Sequence, residues 1–388
     1  MKRIWLLFSQ AVTVLAAAYF VVATLQPQWL HRGVGANAVS VIEAPAGSVQ
    51  PAGAGASHTG GFASAARVAS AAVVSINTSK AASRSAQADD PWFKFFFGDQ
   101  GSGEAQAGLG SGVIVSGSGY ILTNNHVVEG ADDIEVVLND TRKAKARVIG
   151  TDPDTDLAIL KIELDKLPVI VLGNSDALQV GDPVLAIGNP FGVGQTVTGG
   201  IVSALGRNQL GINTFENFNQ TDAAINPGNS GGALVDVNGN LMGINTAIYS
   251  RSGGSMGIGF AIPVSTAKQV LESIVKDGQV TRGWIGVEPQ DLNPELAAAF
   301  GLKPAAAKSG GVMIAGVLQN GPAAQAGIRP GDVITAVNGK TVGNVSQLLT
   351  AVASLKPGTP APLTVLREDG QTEIPVTPGK RQRPKIQR

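Results

Sequence analysis

Three histidines occur in this 388-residue chain, at positions 31, 58 and 126, and there is no cysteine. A thiolate nucleophile and a cysteine-ligated metal are therefore excluded. His31 and His58 fall in a Gly-, Ala- and Ser-rich stretch that offers nothing to hold them. His126, in "ILTNNHVVEG", follows a β-rich run and so stands at a strand end. Asp156, in "DPDTDLAILKI", leads directly into an apolar run. A carboxylate there is costly unless hydrogen-bonded, and an imidazole N–H is a suitable donor. Asp152 and Asp154 flank Pro153 and read as turn residues. Ser230, in "INPGNSGGALVDV", stands between Gly-Asn and Gly-Gly. Such a stretch makes a tight turn. A backbone so stripped of Cβ atoms can also aim its N–H groups at an oxyanion beside the serine oxygen. With a base and an orienting acid, the chemistry would be acyl transfer through a serine nucleophile.

The order of the three residues decides which scaffold could bring them together. "GNSGG" satisfies Gly-x-Ser-x-Gly, the nucleophile elbow of α/β-hydrolases, but that fold needs a histidine after the serine and none follows His126. It also needs a helix after the serine, whereas "GALVDV" reads as a strand. From Ser111 to about Pro263, short β-rich runs such as "GVIVS", "DIEVVL", "LAILKI" and "PVLAIG" alternate with Gly, Asn and Asp signals, the pattern of an all-β barrel or sandwich. One amphipathic helix, "VSTAKQVLESIVKDG", is expected after Pro263, with Ser265 as N-cap and Gly278 as its stop. A second, smaller β-rich region runs from near Arg282 to near Thr377, with helices around Ala323 and Gln347.

Hydrophobic residues make up 44% of the chain and charged ones 15%, which describes a folded protein with a sizeable core. The formal net charge is zero, so no basic field invites nucleic acid. Lys2 and Arg3 precede a largely apolar run, Ile4 to Leu25, interrupted by Ser9, Gln10, Thr13 and Thr24. As a helix that run would span ~33 Å, enough to cross a bilayer core. Residues 1–25 are expected to be an N-terminal membrane anchor with its basic end in the cytoplasm. A cleaved signal peptide ending near Ala16–Ala18 is the alternative, and the apolar run continuing through Tyr19 to Val22 favours the anchor. Residues 26–62 read as a flexible tether. Five aromatics fall between Trp92 and Phe97 and are expected to dock on something. The basic tail, 379–388, reads as a solvated end.

Taken together, "ILTNNHVV", "DPDTDLAILKI", "INPGNSGGALVDVNGNLMGINTAI" and "GIGFAIP" resemble the HtrA (Deg) family of serine endopeptidases, over roughly Ala63 to Thr377. The resemblance implies a mainly β fold: a chymotrypsin-like double β-barrel protease domain over 63–281, then one PDZ domain over 282–378. It makes His126 the base, Asp156 the orienting acid and Ser230 the nucleophile, with the amides of Gly228 and Ser230 as oxyanion hole. It places Ile225, Ile248 and Tyr249 around a small apolar S1 pocket. Ala224, six residues before Ser230, leaves no charge there for Lys or Arg, so cleavage after Val, Ala or similar residues is expected. Asn229 stands where the digestive proteases have an aspartate that pairs with a freed N-terminus, so activation by propeptide cleavage is not expected. "RGWIGV", Arg282 to Val287, resembles the PDZ loop that receives a peptide's terminal carboxylate, with Arg282, Trp284, Ile285, Gly286 and Val287 as its members.

Anchor, protease and one PDZ domain together resemble the DegS-like branch. That implies a homotrimer on the bacterial inner membrane facing the periplasm, without metal or cofactor. It would act on misfolded or regulatory proteins and be regulated by C-terminal peptides of misfolded envelope proteins. The rival is a tethered chaperone or peptide sensor with a residual triad.

Overall fold

The computed structural model describes residues 39–44, 61–79, 107–208, 210–250, 253–293, 310–367 and 370–381, together with Trp5 and Thr13. Among them, no helix is long and apolar enough to cross a membrane. The expected anchor at 4–25, apart from Trp5 and Thr13, lies outside the described residues, as do Trp92–Phe97 and 382–388.

The chain enters the fold at a short strand, β1 (Ile42–Glu43), and at helix α1 (Ala63–Ala72). A seven-stranded sheet follows, built from β2 (Val73–Ser79), β3 (Ala107–Ile114), β4 (Tyr120–Thr123), β5 (Asp133–Val137), β6 (Lys143–Lys145), β7 (Arg147–Asp152) and β8 (Leu157–Lys161), in the order β6-β5-β2-β3-β4-β8-β7. One helical turn, α2 (Asn125–Val128), separates β4 from β5. Alternate residues of β2, Val74 and Ile76, point inward with Ile114, Ile121, Ile134, Val136, Ala158 and Leu160. These come from five strands and meet in one cluster, so the sheet wraps around its own core.

The second sheet consists of β9 (Val171–Leu172), β10 (Pro183–Gly188), β11 (Thr196–Arg207), β12 (Phe218–Thr221), β13 (Ala233–Val235), β14 (Leu241–Ile248) and β15 (Gly259–Pro263), with β1 added at one edge. Strands β14-β13-β10-β11-β12-β15 pair in sequence, and β15 pairs again with β14, which closes a six-stranded barrel. Helix α3 (Val264–Asp277) leaves β15 and buries Val264, Ala267, Val270, Leu271 and Ile274, the spacing of one helical face. Ile274 seats against Gly150 of β7, where a Cβ would come within 2.6 Å of it. The helix stops at Gly278 (φ 72°), whose N–H donates to Ile274 O. The expected N-cap differs: Pro263 holds that position, and the Ser175 hydroxyl from a distant loop accepts the Ser265 N–H.

A smaller module follows. Strand β16 (Gly283–Trp284) precedes the five-strand path β17-β18-β19-β21-β22, made by β17 (Val287–Asp291), β18 (Val312–Val317), β19 (Val333–Val337), β21 (Ala361–Arg367) and β22 (Gly370–Val376). Strand β20 (Lys340–Thr341) pairs with β19, and β23 (Gly379–Lys380) pairs with β16. Both expected helices are present, α4 (Pro322–Gln325) and α5 (Val345–Ala353). The Asn344 side chain caps α5 by accepting the Gln347 N–H at 2.9 Å.

Two segments read as loose are docked. Strand β1, within the stretch expected to be tether, pairs in parallel with β9. Glu43 binds Lys268 of α3, and that hydrogen bond raises the ammonium above its ordinary pKa. The start of the basic tail supplies β23, and the Arg381 guanidinium lies 5.1 Å from the centre of the Phe215 ring. Asp152, expected as a turn residue, is fully buried and binds Arg282 in a bidentate pair, with Nη1 to Oδ1 at 2.6 Å. Arg282 also lies 4.7 Å over Phe215. A buried ion pair stacked on an aromatic ring therefore helps join the barrels to the smaller module.

Removing one partner of such a pair strands the other in a low-dielectric site. Arg282→Met is expected to cost about 3–5 kcal/mol. The double variant Asp152→Leu/Arg282→Met, which leaves no buried charge, is expected to cost less. Urea unfolding midpoints of the two variants check this, and an equal or larger loss in the double variant would contradict it.

Candidate active site

His126 and Asp156 come from the first sheet and Ser230 from the second barrel. His126 sits in α2, at the end of β4. Asp156 occupies the turn between β7 and β8, where the Thr155 N–H returns to Asp152 O and the Asp156 N–H to Pro153 O. Its φ is +58°, a left-handed conformation that costs a side-chain-bearing residue roughly 1 kcal/mol or more. The surroundings offset that cost. Asp156 Oδ1 accepts the backbone N–H of His126 at 3.0 Å, and Oδ2 faces His126 Nδ1 at 2.7 Å. Oδ2 also accepts the Thr246 hydroxyl at 2.8 Å. The Asp156 carbonyl receives the Asn125 N–H and the Asn124 side-chain amide. With its carboxylate 2% exposed, Asp156 is a buried anion satisfied by donors from both sheets. Bonded through Nδ1, the imidazole carries its other nitrogen, Nε2, on the far edge of the ring.

Ser230 lies between β12 and β13. Asn226 O accepts the Asn229 N–H at 3.0 Å, with Pro227 and Gly228 between them. Gly228 has φ +100°, so these four residues form a type II turn with proline first and glycine second among the central pair. The N–H groups of Gly228 and Ser230 have no acceptor among the described residues. The carbonyl of Ser230 accepts the Ser111 N–H at 2.8 Å, and the N–H of Gly231 donates to Asn245 O at 2.8 Å. The Ser230 hydroxyl donates to Thr246 O at 3.3 Å, and among the described residues no hydrogen bond joins it to His126. Such contacts are commonly slack until substrate arrives.

The three residues singled out for the pocket behave differently from one another. Ile225 and Ile248 are 1% exposed and share one apolar cluster, whereas Tyr249 is 54% exposed. Ile248 pairs with Gly259, and a Cβ at Gly259 would come within 2.8 Å of Ile225 Cδ1.

The five residues expected to form the peptide-receiving loop are not all together. The N–H groups of Ile285 and Gly286 have no acceptor among the described residues, and Gly286 has φ +76°. The Trp284 ring lies against Gly286, and Val287 opens β17, the edge strand of its sheet. Ile285 is buried in the module's core and contributes backbone only. Arg282 does not join them, because its guanidinium is held by Asp152 on the barrel side.

Sequence reasoning missed Thr246 and Asn124. Both are uncharged residues of common type, and only the pairing of segments 90 and 122 residues apart brings them to Asp156 and to each other. Among the described residues, no cluster of His, Asp and Glu could hold a metal ion.

The chain is similar to known proteins in both its parts. Residues 110–244 match a trypsin-like peptidase domain and 283–377 a PDZ domain. A probable periplasmic serine endoprotease DegP-like of Chlamydia trachomatis serovar D is 50% identical over 295 residues, covering 74% of this chain and 59% of that protein. Its counterpart in Marinomonas sp. is 48% identical over 293 residues, covering 74% of this chain and 61% of that protein. The chain thus spans about three fifths of the length of these curated relatives. Among solved structures, the HtrA-type protease AlgW with a decapeptide is 51% identical with a TM-score of 0.71, covering 83% of this chain and 99% of that one. A serine endoprotease from Yersinia pestis is 40% identical with a TM-score of 0.59, covering 83% and 98%.

Gly231 makes the closest approach at the site. Its φ is +83°, and a Cβ there would stand 2.1 Å from Ser111 O and 2.3 Å from Thr123 Oγ1. Gly231→Ala is therefore expected to displace the serine turn and lower the melting temperature by several degrees, read by thermal unfolding of the purified chain.

Proposed function

Because this chain belongs to the HtrA-type family of serine endoproteases, with a trypsin-like peptidase domain and a PDZ domain, we propose that it hydrolyses peptide bonds in proteins of the bacterial envelope. The observation that carries this reading is the Asp156 carboxylate holding His126 through Nδ1 at 2.7 Å, beside a serine turn with two unbonded amides. Ser230 is the nucleophile. Its hydroxyl leaves Thr246 O and turns to His126 Nε2, which takes the proton as Oγ attacks the scissile carbonyl. Asp156 keeps the imidazole in the tautomer that accepts at Nε2 and stabilises the imidazolium that forms. The N–H groups of Gly228 and Ser230 receive the oxyanion. The imidazolium then protonates the leaving amine, and water repeats the sequence on the acyl-enzyme.

The apolar surroundings of Ile225 and Ile248, without an acid at Ala224, support cleavage after Val or Ala. The substrates are misfolded or stress-signalling proteins, and residues 4–25 hold the chain at the inner membrane with its catalytic part in the periplasm. Three copies assemble. Phe62 lies against Gly199 of β11, beside Val197, Ile201 and Leu205, each about 40% exposed, and this apolar surface supports such an assembly.

With a chromogenic peptide ending in valine at the cleaved position, Ser230→Ala and His126→Ala are each expected to lower kcat by several orders of magnitude. The double variant should lose little more, since the residues act as a unit. Near-wild-type turnover by Ser230→Ala would overturn the assignment.

The PDZ module regulates the site by capturing a C-terminus. The free amides of Ile285 and Gly286 would take its carboxylate, and the peptide would add as a strand to the open edge of β17. A type II turn becomes type I by a flip of its central peptide, here Pro227–Gly228, and that flip would turn the Gly228 N–H away from the oxyanion. Captured peptide favours the form with the amide turned in. Converting a mostly inactive population to a mostly active one takes about 5.5 kcal/mol of differential binding. Peptides with apolar ends and free carboxylates are expected to raise kcat, and their C-terminally amidated forms to leave it unchanged. Titrating both forms against the chromogenic substrate reads this directly, and equal activation would exclude carboxylate capture.

A further inference from the structure

Ser111, in β3 of the first sheet, is fully buried and is not one of the residues expected at the site. Its hydroxyl nonetheless donates to Gly228 O at 2.7 Å and accepts the backbone N–H of Asn189 at 2.9 Å. Its own N–H donates to Ser230 O, and its carbonyl accepts the Thr123 hydroxyl at 2.7 Å. Every polar group of Ser111 is thus engaged, and two of them hold the carbonyls of Gly228 and Ser230, whose N–H groups are the free ones.

We propose that Ser111 is a positioning residue, whose hydroxyl locks the turn Asn226–Asn229 in the form that presents the Gly228 amide to the oxyanion. The proposal rests on the protease reading given above. The peptide joining Gly228 to Asn229 is gripped at both ends, its carbonyl by the Ser111 hydroxyl and its N–H by Asn226 O. Because the Asn189 N–H fills an acceptor site on Oγ, the one hydroxyl hydrogen is directed to Gly228. Without the hydroxyl the Gly228 carbonyl would be buried and unpaired, and the turn would rotate to satisfy it. Gly228 has no Cβ to resist that rotation. Its N–H would swing with it, and the oxyanion would lose a donor while the walls that hold the substrate side chain stay in place.

Asn189 extends the lock outward. Its Oδ1 accepts the Gly194 N–H at 2.8 Å, and its Nδ2 donates to Ser75 Oγ at 2.8 Å. One hydroxyl therefore joins the 189–194 loop, the first sheet and the serine turn.

The test uses the full chain, with the wild type and Ser230→Ala fixing the active and inactive limits. Those limits judge the protease reading by itself. If the wild type cleaves and Ser230→Ala does not, the behaviour of Ser111 variants bears on the lock alone. Ser111→Ala is expected to lower kcat about 10²-fold, the effect of losing one oxyanion donor, with KM within twofold of wild type. Affinity for a peptidyl boronate, which mimics the tetrahedral oxyanion, should fall by a comparable factor, while affinity for the product peptide acid should not. Ser111→Cys, which keeps a weak donor, should fall between. If Ser111→Ala fails to fold, the Cys variant carries the test, with at least a fivefold loss of kcat at unchanged KM as the supporting result. A folded variant with wild-type kcat, or one that loses boronate and product binding alike, would overturn the proposal.

Discussion

A carboxylate with almost no access to water must find donors, and Asp156 finds them on both halves of the molecule. His126 comes from the end of β4 in the first sheet and Thr246 from β14 in the closed barrel. The first half gives each carboxylate oxygen one partner, and the second adds another at Oδ2. The burial that would be costly without partners thus becomes a constraint on how the two sheets meet. Because the imidazole is one of the donors, fixing the sheets also fixes the ring. The left-handed backbone at Asp156 belongs to the same arrangement: strain in one residue is tolerated where several hydrogen bonds over-determine it.

The serine turn is built on a different principle. Among the described residues, no charged side chain bonds to it. Its shape comes from proline and glycine at the two central positions and from carbonyls tied to neighbouring strands. Polar groups of β3 and β14 converge on it, and the free amides are what those ties leave over. The site therefore combines an electrostatic anchor at the acid with a steric and hydrogen-bonded frame at the serine.

Local strings carried much of this arrangement. His126 could be singled out because histidine is rare in the chain, Asp156 because an acid opens an apolar run, and Ser230 because glycines surround it. The amphipathic pattern of α3 was equally visible. What escaped was set by contacts between distant segments. Asp152 looked like a turn residue because its partner, Arg282, stands 130 residues away. Ser265 looked like a cap because the residue that serves it, Ser175, belongs to another loop. Residues 42–43 looked loose because two residues carry no periodicity, and only the exposed edge of β9 makes them a strand. In each instance the local chemistry was sound and tertiary pairing redirected it.

The Phe215 ring has a mechanical consequence. Arg282 begins the smaller module and Arg381 lies just past its last strand, and both guanidinium groups approach the same ring. The Arg381 N–H also returns to Arg282 O, so the two ends of the module are fastened to each other as well as to the barrel. A second bond lies beside this fastening, from the Ser346 hydroxyl of α5 to Glu216 O at 3.1 Å. The fastening lies on the turn that carries Asp152, Asp154 and Asp156, with Phe215 N–H bonded to Asp154 O. A displacement of the smaller module would therefore load the segment that carries Asp156 through Asp152, four residues away from it.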